Sequence, residues 1–242
     1  MVKRDLLAEF YKIIKGVIGD SLHPGGLDLT RRVGEVARIR EGSRVLDLAC
    51  GMGASAQFLI KKFKCEIIGF DLLSVLIKMA KSNIVKELSL GKYEFITGEA
   101  RFLPFINSCF DAVICESAFS LFSDKSGVLG EIYRVLKSRG NIVVTNIIFK
   151  KDVPMELKKK ITFVPCIAGA ETLQNFRKLL EQKCFVNIYI EDHTEKLIEL
   201  GFKLLLSGYL TEASIISPDQ LILKRLFNED ILGYALIVAT KP

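Results

Sequence analysis

The sequence has no cysteine pair at CxxC spacing, no internal repeat and no uninterrupted apolar stretch long enough to span a bilayer. Its six cysteines are scattered, and several lie inside apolar runs, where free cysteine behaves as a small hydrophobic residue. This distribution argues against a zinc knuckle or a disulfide framework and indicates a reducing compartment. The first residues lead into an amphipathic segment rather than the apolar core of a signal peptide. We therefore expect a cytoplasmic chain with no membrane partner and no metal site.

The sequence also has no large excess of charge of either sign. Lys and Arg number 34 against 28 Asp and Glu, so the formal net charge is +6. Lysines cluster at positions 61–64 and 158–160, but neither cluster is interleaved with the aromatic side chains on which single-stranded nucleic acids stack. We interpret the positive charge as a solvated surface and do not expect a nucleic-acid partner. No pattern in the sequence indicates an oligomeric state.

Short apolar segments alternate with amphipathic ones through the middle of the chain. The predicted strands are residues 44–48, 66–70, 93–97, 110–115 and 141–148. The predicted helices between them are residues 55–63, 74–86 and 125–136. Apolar strands separated by helices indicate a parallel sheet covered on both faces, and so the α/β class.

Further elements flank this alternating region. The predicted flanking helices are residues 6–17, 28–37, 154–161, 171–182, 194–206 and 218–227. Two more strands are predicted at residues 186–191 and 234–240. The chain has 242 residues, of which 50% are hydrophobic, and this suffices for one domain with a large core.

The strongest local signal is a glycine-rich turn after the first predicted strand. Residues 45–55 read VLDLACGMGAS, so a buried strand carries Asp47 and is followed by Gly51 and Gly53. Glycines let the backbone turn sharply and approach a ligand closely. Ligands of open α/β sheets bind at the carboxyl ends of the strands. A Gly-x-Gly pair can also be an ordinary turn between a strand and a helix, so it is not specific alone.

The second predicted strand places an acidic residue at a defined spacing from this turn. It ends at Asp71, twenty residues after Gly51, where a carboxylate can accept hydrogen bonds from both hydroxyls of a ribose. This pattern fits a dinucleotide and an adenosyl ligand equally. The third glycine of the dinucleotide fingerprint would fall at Ala56, which that fingerprint tolerates, so this position does not decide between them.

Five sequence blocks resemble the class I S-adenosylmethionine-dependent methyltransferases, in family order and at family spacing. The blocks are LDLACGMG at 46–53, GFD at 69–71, GEA with LPF at 98–105, FDAV at 110–113 and EIYRVLK at 131–137. The GEA and LPF block favours this family over a dinucleotide dehydrogenase. The subgroup most similar to this chain contains the ubiquinone-biosynthesis type and the arsenite methyltransferases.

The resemblance implies a Rossmann-like architecture. It is a doubly wound, mostly parallel seven-stranded sheet with an antiparallel last strand, an N-terminal helical lid, and extra helices after strand five and between strands six and seven. It also implies a single methyltransferase domain over residues 1–242. We divide this domain into a lid (1–40), a cofactor-binding core (41–150) and an acceptor side with the last two strands (151–242).

The resemblance also implies S-adenosylmethionine as the cofactor and S-adenosylhomocysteine as its product. The residues expected around the methionine part are Asp47, Ala49, Gly51 and Gly53. The residues expected around the adenosine are Asp71 at the ribose, Leu72 against the adenine face, and Glu99 and Ala100 at the adenine edge. The family often has Asp where this chain has Glu99, and the longer acid can still reach an exocyclic amine.

Glu116 and Ser117 follow the fourth predicted strand, where the resemblance places residues close to the cofactor and its methyl group. We regard both as candidate catalytic residues. Glu116 offers a carboxylate that can orient an amine or hydroxyl, or take its proton.

A lid is the functional interpretation of the segment before the first strand. Its candidate residues are His23, Gly25, Gly26 and Thr30. The alternative is an ordinary helix–helix turn, because Pro and Gly are common turn residues. His193 is interpreted as a residue at a helix start.

Apolar and thiol groups are the other acceptor candidates. Phe119, Phe122 and Phe163 are candidate acceptor walls, although buried aromatic residues are usually core. Cys166 resembles an arsenic-binding cysteine of the arsenite methyltransferases, but Ser117 stands where the family has another such cysteine. Burial of Cys166 as a small residue is the competing interpretation.

Several functions follow from these observations. The preferred one is methyl transfer from S-adenosylmethionine to a small molecule. The alternatives are methylation of RNA or protein, methylation of arsenite, and a non-catalytic protein that binds the cofactor. The Asn-Pro-Pro-Tyr type of signature for methylation of base amino groups is absent.

Overall fold

A computed structural model describes residues 23–84, 92–154, 157, 161, 165–206, 225–226 and 229–242. The helix predicted at 6–17, most of those predicted at 154–161 and 218–227, and Phe163 lie outside the described residues. Within the described ranges, no helix is long and apolar enough to cross a membrane. The cytoplasmic location stays a prediction.

The described elements follow the alternation seen in the sequence. The helices are α1 (Gly26–Val36), α2 (Ala54–Phe63), α3 (Ser74–Asn83), α4 (Lys125–Val135), α5 (Pro165–Ala168), α6 (Leu173–Gln182) and α7 (Thr194–Leu206), with a 3-10 turn at Phe119–Leu121. The strands are β1 (Arg44–Leu48), β2 (Glu66–Asp71), β3 (Tyr93–Thr97), β4 (Phe110–Glu116), β5 (Leu136–Phe149), β6 (Glu171–Thr172), β7 (Val186–Asp192) and β8 (Leu232–Thr240).

The strands form one sheet in the order β3-β2-β1-β4-β5-β8-β7. The pairs from β3 to β5 are parallel, whereas β8 is antiparallel to both β5 and β7. The predicted Rossmann-like sheet with an antiparallel last strand is therefore confirmed. The structure adds a two-residue strand, β6, which pairs with the end of β5. The helix predicted from residue 171 begins at Leu173 instead, because the Thr172 side chain accepts the Asn175 N–H at 3.2 Å and caps it.

The two faces of the sheet have separate hydrophobic cores. Along β1 and β4, alternate residues enter opposite cores: Val45 and Ala112 pack on one side, and Leu46 and Val113 on the other. A strand buried on both faces has to be apolar throughout, which explains the continuous apolar runs of the sequence.

The strand order determines where a ligand can bind. β1 lies between β2 and β4, so the chain leaves β1 toward one side of the sheet and later returns to the other. Such a switch point leaves a crevice at the carboxyl ends of the strands. The turn after β1, the end of β2 and the end of β4 all meet there.

Two of the sequence blocks are joined by an ionic clamp on α4. Glu131 accepts the Leu103 N–H at 2.9 Å, and Arg134 donates to the carbonyl oxygens of Leu103 and Phe105 at 2.9 and 2.6 Å. Arg134 also donates to Glu131 at 2.7 Å. The EIYRVLK block therefore holds the LPF block in place, which explains why both occur in the same chain.

Candidate active site

The glycine turn after β1 has an unusual backbone. φ is positive at Ala49 (60°), Gly51 (55°) and Gly53 (78°), a region that L-residues rarely adopt. The Ala49 and Cys50 N–H groups donate to the Phe70 carbonyl at 2.7 and 3.2 Å and tie the turn to β2. A Cβ on Gly51 would meet no atom within 4 Å, so open space borders the turn at this position.

Asp71 at the end of β2 holds this turn. Its Oδ2 accepts the Gly51 N–H at 2.9 Å and its Oδ1 accepts the Leu73 N–H at 2.8 Å. Burial raises the pKa of Asp71, and these backbone N–H groups oppose the increase. Each carboxylate oxygen has a second lone pair, so Asp71 can still accept hydrogen bonds from a ligand.

Asp47 in β1 is a buried carboxylate that lacks part of its hydrogen bonding. Its side chain is buried, and Oδ2 has no hydrogen-bond partner among the residues that the structure describes. Burial raises the pKa of Asp47 well above its usual range, and the charges of Glu116 and Asp71 raise it further. A buried carboxylate beside two others needs a cation or a donor to be stable when ionised.

A second polar cluster covers this acidic group. We call it the His23–Thr30–Glu116 cluster, and it joins the turn before α1, α1 itself and the end of β4. Thr30 Oγ1 lies 3.1 and 3.2 Å from the carboxylate oxygens of Glu116 and 3.2 Å from His23 Nε2. The His23 and Glu116 side chains are 7% and 5% exposed, and Thr30 is fully buried. Ser55 Oγ, at the start of α2, lies 3.4 Å from Thr30.

The glycines before α1 support both interpretations of this segment. Gly25 and Gly26 have φ of 81° and 53°, and a Cβ on Gly25 would lie 2.8 Å from the Leu29 Cβ. Both glycines therefore adopt the left-handed backbone conformation that an ordinary turn requires. The same turn places His23 against Glu116, so a turn and a functional position coincide here.

Ser117 faces β8. It has a positive φ of 55°, and its Oγ lies 2.5 Å from the Tyr234 hydroxyl. Tyr234 is fully buried and donates to Thr145 Oγ1 at 2.9 Å. The pKa of Tyr234 is raised mainly by burial, so the phenol stays protonated. Sequence reasoning missed Tyr234 and Ser55, since neither has a local signal that shows its distant partner.

The expected adenosine residues lie at the rim of the crevice. Leu72 is 50% exposed, which is unusual for a large apolar side chain. Glu99 is exposed and forms a 3.4 Å ion pair with Arg101, and Ala100 is buried beside it. An exposed leucine suits the apolar face of a flat base, and an exposed carboxylate suits its polar edge.

The structure places the other candidates, Phe119, Cys166 and His193, in the core or beside a helix. Phe119 is fully buried, with ring centroids 5.7 Å from Phe122 and 4.7 Å from Phe176, so it packs in the core and presents no free wall. Cys166 is half-buried on α5, which packs against the 3-10 turn after β4, and burial raises the pKa of its thiol to about 11. His193 follows β7 and contacts Glu191 at 3.0 Å, as expected of a residue before a helix.

A glycine turn and a buried acidic cluster at the switch point define a Rossmann-like domain that binds a small charged ligand. The family follows from a direct match, because residues 39–184 fit the family model described as a methyltransferase domain. The chain belongs to this family. The class I S-adenosylmethionine-dependent methyltransferase family inferred from the sequence is confirmed. Among the described residues, no group of His, Cys, Asp and Glu could hold a metal ion.

Individual relatives differ in the molecule that their names identify. The O-methyltransferase cnsE of Penicillium expansum is 27% identical, over 93% of this chain and 79% of its own length. The demethylmenaquinone methyltransferase of Thermotoga maritima is 35% identical, over 60% of this chain and 59% of its own length. The phosphoethanolamine N-methyltransferase 2 of Haemonchus contortus, solved with S-adenosyl-L-methionine, has a TM-score of 0.77 at 20% identity. It covers 95% of this chain, which spans 56% of that protein, and this likeness shows the fold.

Proposed function

We propose that this chain transfers a methyl group from S-adenosylmethionine to a small-molecule acceptor at the carboxyl ends of β1, β2 and β4. The observation that carries the proposal is Asp47, whose unpaired oxygen lies near two further carboxylates. S-adenosylmethionine has an ammonium and a sulfonium group, and these cations suit an acidic pocket of this kind. When bound, it supplies a methyl group that is activated for displacement by the neighbouring positive sulfur.

The turn residues fit the rest of such a ligand. Asp47, with the turn Ala49, Gly51 and Gly53, would hold the methionine part. The ribose would bind Asp71, and the residues that would hold the adenine are Leu72, Glu99 and Ala100. The exposed Leu72 and the open space beside Gly51 support this placement.

Glu116 is the proposed residue that contacts the acceptor. It ends β4, so it lies at the same edge of the sheet as Asp47, and its charge raises the pKa of that residue. A buried carboxylate there can orient a hydroxyl or amine and accept its proton as the methyl group moves. Ser117 would support it from the side of β8. Such transfer needs positioning and exclusion of water more than a catalytic triad.

The covering elements support a small acceptor. We propose that residues 1–40 form the lid, 41–150 the cofactor-binding core and 151–242 the acceptor side. The side chains of the His23–Thr30–Glu116 cluster are buried beside the start of α1, so the groups proposed to meet the acceptor do not lie on an open surface. RNA or protein methylation would need a site that a large substrate can enter.

Arsenite is not the acceptor that these groups favour. A trivalent arsenic site wants convergent thiolates. Burial raises the pKa values of both Cys115 and Cys166, so these thiols resist ionisation. The Ser117 hydroxyl, in the position of a family cysteine, is bonded to Tyr234.

Calorimetry with S-adenosylhomocysteine tests the proposed cofactor site. We expect saturable binding that Asp71→Ala weakens by on the order of 2–3 kcal/mol, because two charge-assisted hydrogen bonds are lost. Asp111→Ala is the matched control. Asp111 also accepts a backbone N–H, from Arg44 at 2.8 Å, but it lies at the amino end of β4. Tighter binding of NAD than of the adenosyl ligand would contradict the proposal.

A further inference from the structure

The hydrogen-bond partners in the His23–Thr30–Glu116 cluster restrict which of its atoms can carry a proton. His23 Nδ1 lies 3.1 Å from the Pro24 carbonyl oxygen. A carbonyl oxygen only accepts, so Nδ1 has to carry a proton for this bond to form. The proton on the other ring nitrogen, Nε2, is then the variable one, and Nε2 faces Thr30 Oγ1 at 3.2 Å.

Two proton arrangements satisfy the cluster equally. In the first, Glu116 is protonated and donates to Thr30, which donates to His23 Nε2. In the second, His23 is an imidazolium that donates to Thr30, which donates to the Glu116 carboxylate. The two arrangements have the same total charge and differ by one short proton movement along each hydrogen bond. The Thr30 hydroxyl is therefore a bridge that can pass a proton in either direction.

We propose that Glu116, Thr30 and His23 form a proton relay from the methyl acceptor to the turn before α1, and that the acceptor is a hydroxyl or amine. The inference rests on the proposed function. As the acceptor's lone pair forms its bond to the methyl carbon, the carbon–sulfur bond breaks and its electrons stay on sulfur. The acceptor's proton goes to Glu116. Thr30 then takes this proton and gives its own to His23 Nε2.

The surroundings of Glu116 explain why such a relay is useful. Among the described residues, the charge of Glu116 acts on Asp47 of β1, on the buried Cys115 thiol beside it in β4 and on the Tyr234 phenol of β8. Neither Cys115 nor Tyr234 is a ready proton acceptor, because burial raises both pKa values. His23 is the base that the hydrogen bonds reach. It lies in the turn before α1, at the end of the hydrogen-bonded chain that is farthest from the proposed acceptor.

Nitrogen-15 NMR of histidine tests the relay without an acceptor. The chain has only two histidines, so the imidazole spectrum is simple to assign. We expect neutral His23 to carry its proton on Nδ1, and Glu116→Gln to shift the signals of the His23 ring nitrogens, since the group at the other end of the hydrogen-bonded chain has changed. His193 should not change. Its own partner is Glu191, so Glu191→Gln is the matched control and should alter His193 alone.

Thr30 variants test the bridge itself. Thr30→Val removes the hydroxyl with little change in shape, and Thr30→Ser keeps it. His23 Nε2 also lies 3.5 Å from Glu116 Oε1, so part of their interaction does not pass through Thr30. We therefore expect the response of the His23 signals to Glu116→Gln to become clearly smaller in the valine background and to stay at the wild-type size in the serine background. If Thr30→Val fails to fold, the tautomer of neutral His23 in the wild-type protein still tests the relay.

Two results would overturn the relay: a proton on Nε2 of neutral His23, or His23 signals that ignore Glu116→Gln in the wild-type background. Calorimetry with S-adenosylhomocysteine on the same samples separates the two proposals. Normal binding with the wrong tautomer removes the relay alone, whereas lost binding in the wild-type protein removes the proposed function.

Discussion

At the scale of one residue, Asp47 lowers the stability of the unliganded protein and favours binding of a cationic ligand. Its carboxylate is buried and its Oδ2 has no partner among the described residues, so the ionised form is unfavourable without a ligand. The same group is the best-placed anion for a cationic cofactor. A residue that weakens the unliganded fold but strengthens the complex is expected at a functional site.

The pH dependence of stability should reveal this conflict. Burial raises the pKa of Asp47 in the folded protein, so the folded state keeps a proton that the unfolded chain releases near pH 4. Its stabilising contribution is complete below about pH 4 and is lost as the pH rises through the folded pKa. We expect Asp47→Asn to become more stable relative to the wild type between pH 4 and pH 8, by more than about 1 kcal/mol, in urea unfolding.

Asp111→Asn is the control with the opposite sign. Burial alone would raise the pKa of Asp111, but the Arg44 N–H and Lys137 lower it overall. This residue stabilises the fold above about pH 4, so its variant should lose stability relative to the wild type as the pH rises. A difference between Asp47→Asn and the wild type that is constant with pH would contradict the assignment of Asp47.

At the scale of elements, α1 connects the proposed lid to both sides of the crevice. Thr30 contacts Glu116 at the end of β4, and Arg32 binds Glu191 at the end of β7 through bonds that include one of 3.0 Å. The turn before α1 has glycines with positive φ, which suits a hinge. We therefore expect binding at the crevice to be coupled to the position of this helix.

Hydrogen exchange should detect this coupling. Addition of S-adenosylhomocysteine is expected to slow exchange in residues 1–37, of which the structure describes 23–37, because Thr30 of α1 contacts Glu116 at the edge of the proposed ligand site. β8, which is buried along almost its whole length, should exchange slowly with or without ligand and provides the reference. Unchanged protection of residues 1–37 at saturating ligand would rule the lid out.

The clamp on α4 allows a second test at this scale. Arg134→Ala removes hydrogen bonds to Glu131 and to the carbonyl oxygens of Leu103 and Phe105, so we expect a loss of about 1–3 kcal/mol in the free energy of unfolding. Arg177→Ala on α6 is the control. Arg177 forms an exposed 4.0 Å ion pair with Glu181, and its removal should change stability by about 0.5 kcal/mol or less. Equal losses in the two variants would show that the clamp contributes no more than a surface pair.

At the scale of the whole molecule, the fold alone does not identify the acceptor. Relatives named for O-methylation and for a demethylmenaquinone match the same chain, and a solved N-methyltransferase shares its architecture. One fold serves many reactions, and the groups around the site select among them. Here these groups are a buried carboxylate and a covering helix.

The size of the product is the prediction that belongs to this scale. With a methyl-labelled donor and cell extract, we expect the label to pass an ultrafiltration membrane that retains RNA and protein, because His23, Thr30 and Glu116, the groups proposed around the acceptor, are buried. Glu116→Gln should reduce the labelled product while binding of S-adenosylhomocysteine persists. Label retained with RNA or protein would instead support a macromolecular acceptor.

Much of the fold could be predicted from the sequence, because the responsible signals are local. Apolar strands alternating with amphipathic helices predicted the parallel sheet, and the glycine turn with Asp47 and Asp71 predicted its ligand edge. The resemblance placed the antiparallel last strand. The two-residue strand β6 was not predicted, since it depends on pairing with β5 and not on any periodicity of its own.

The sequence by itself determined the class of fold and the strands that carry Asp47, Asp71 and Glu116, because strand and helix periodicity act over a few residues. Only the tertiary structure decided which side chains meet. Thr30 and Glu116 are 86 residues apart, and Ser117 and Tyr234 are 117 apart, yet each pair shares a hydrogen bond. Such contacts form when helices and strands that are distant in the sequence pack together, and neither spacing nor composition reports that packing.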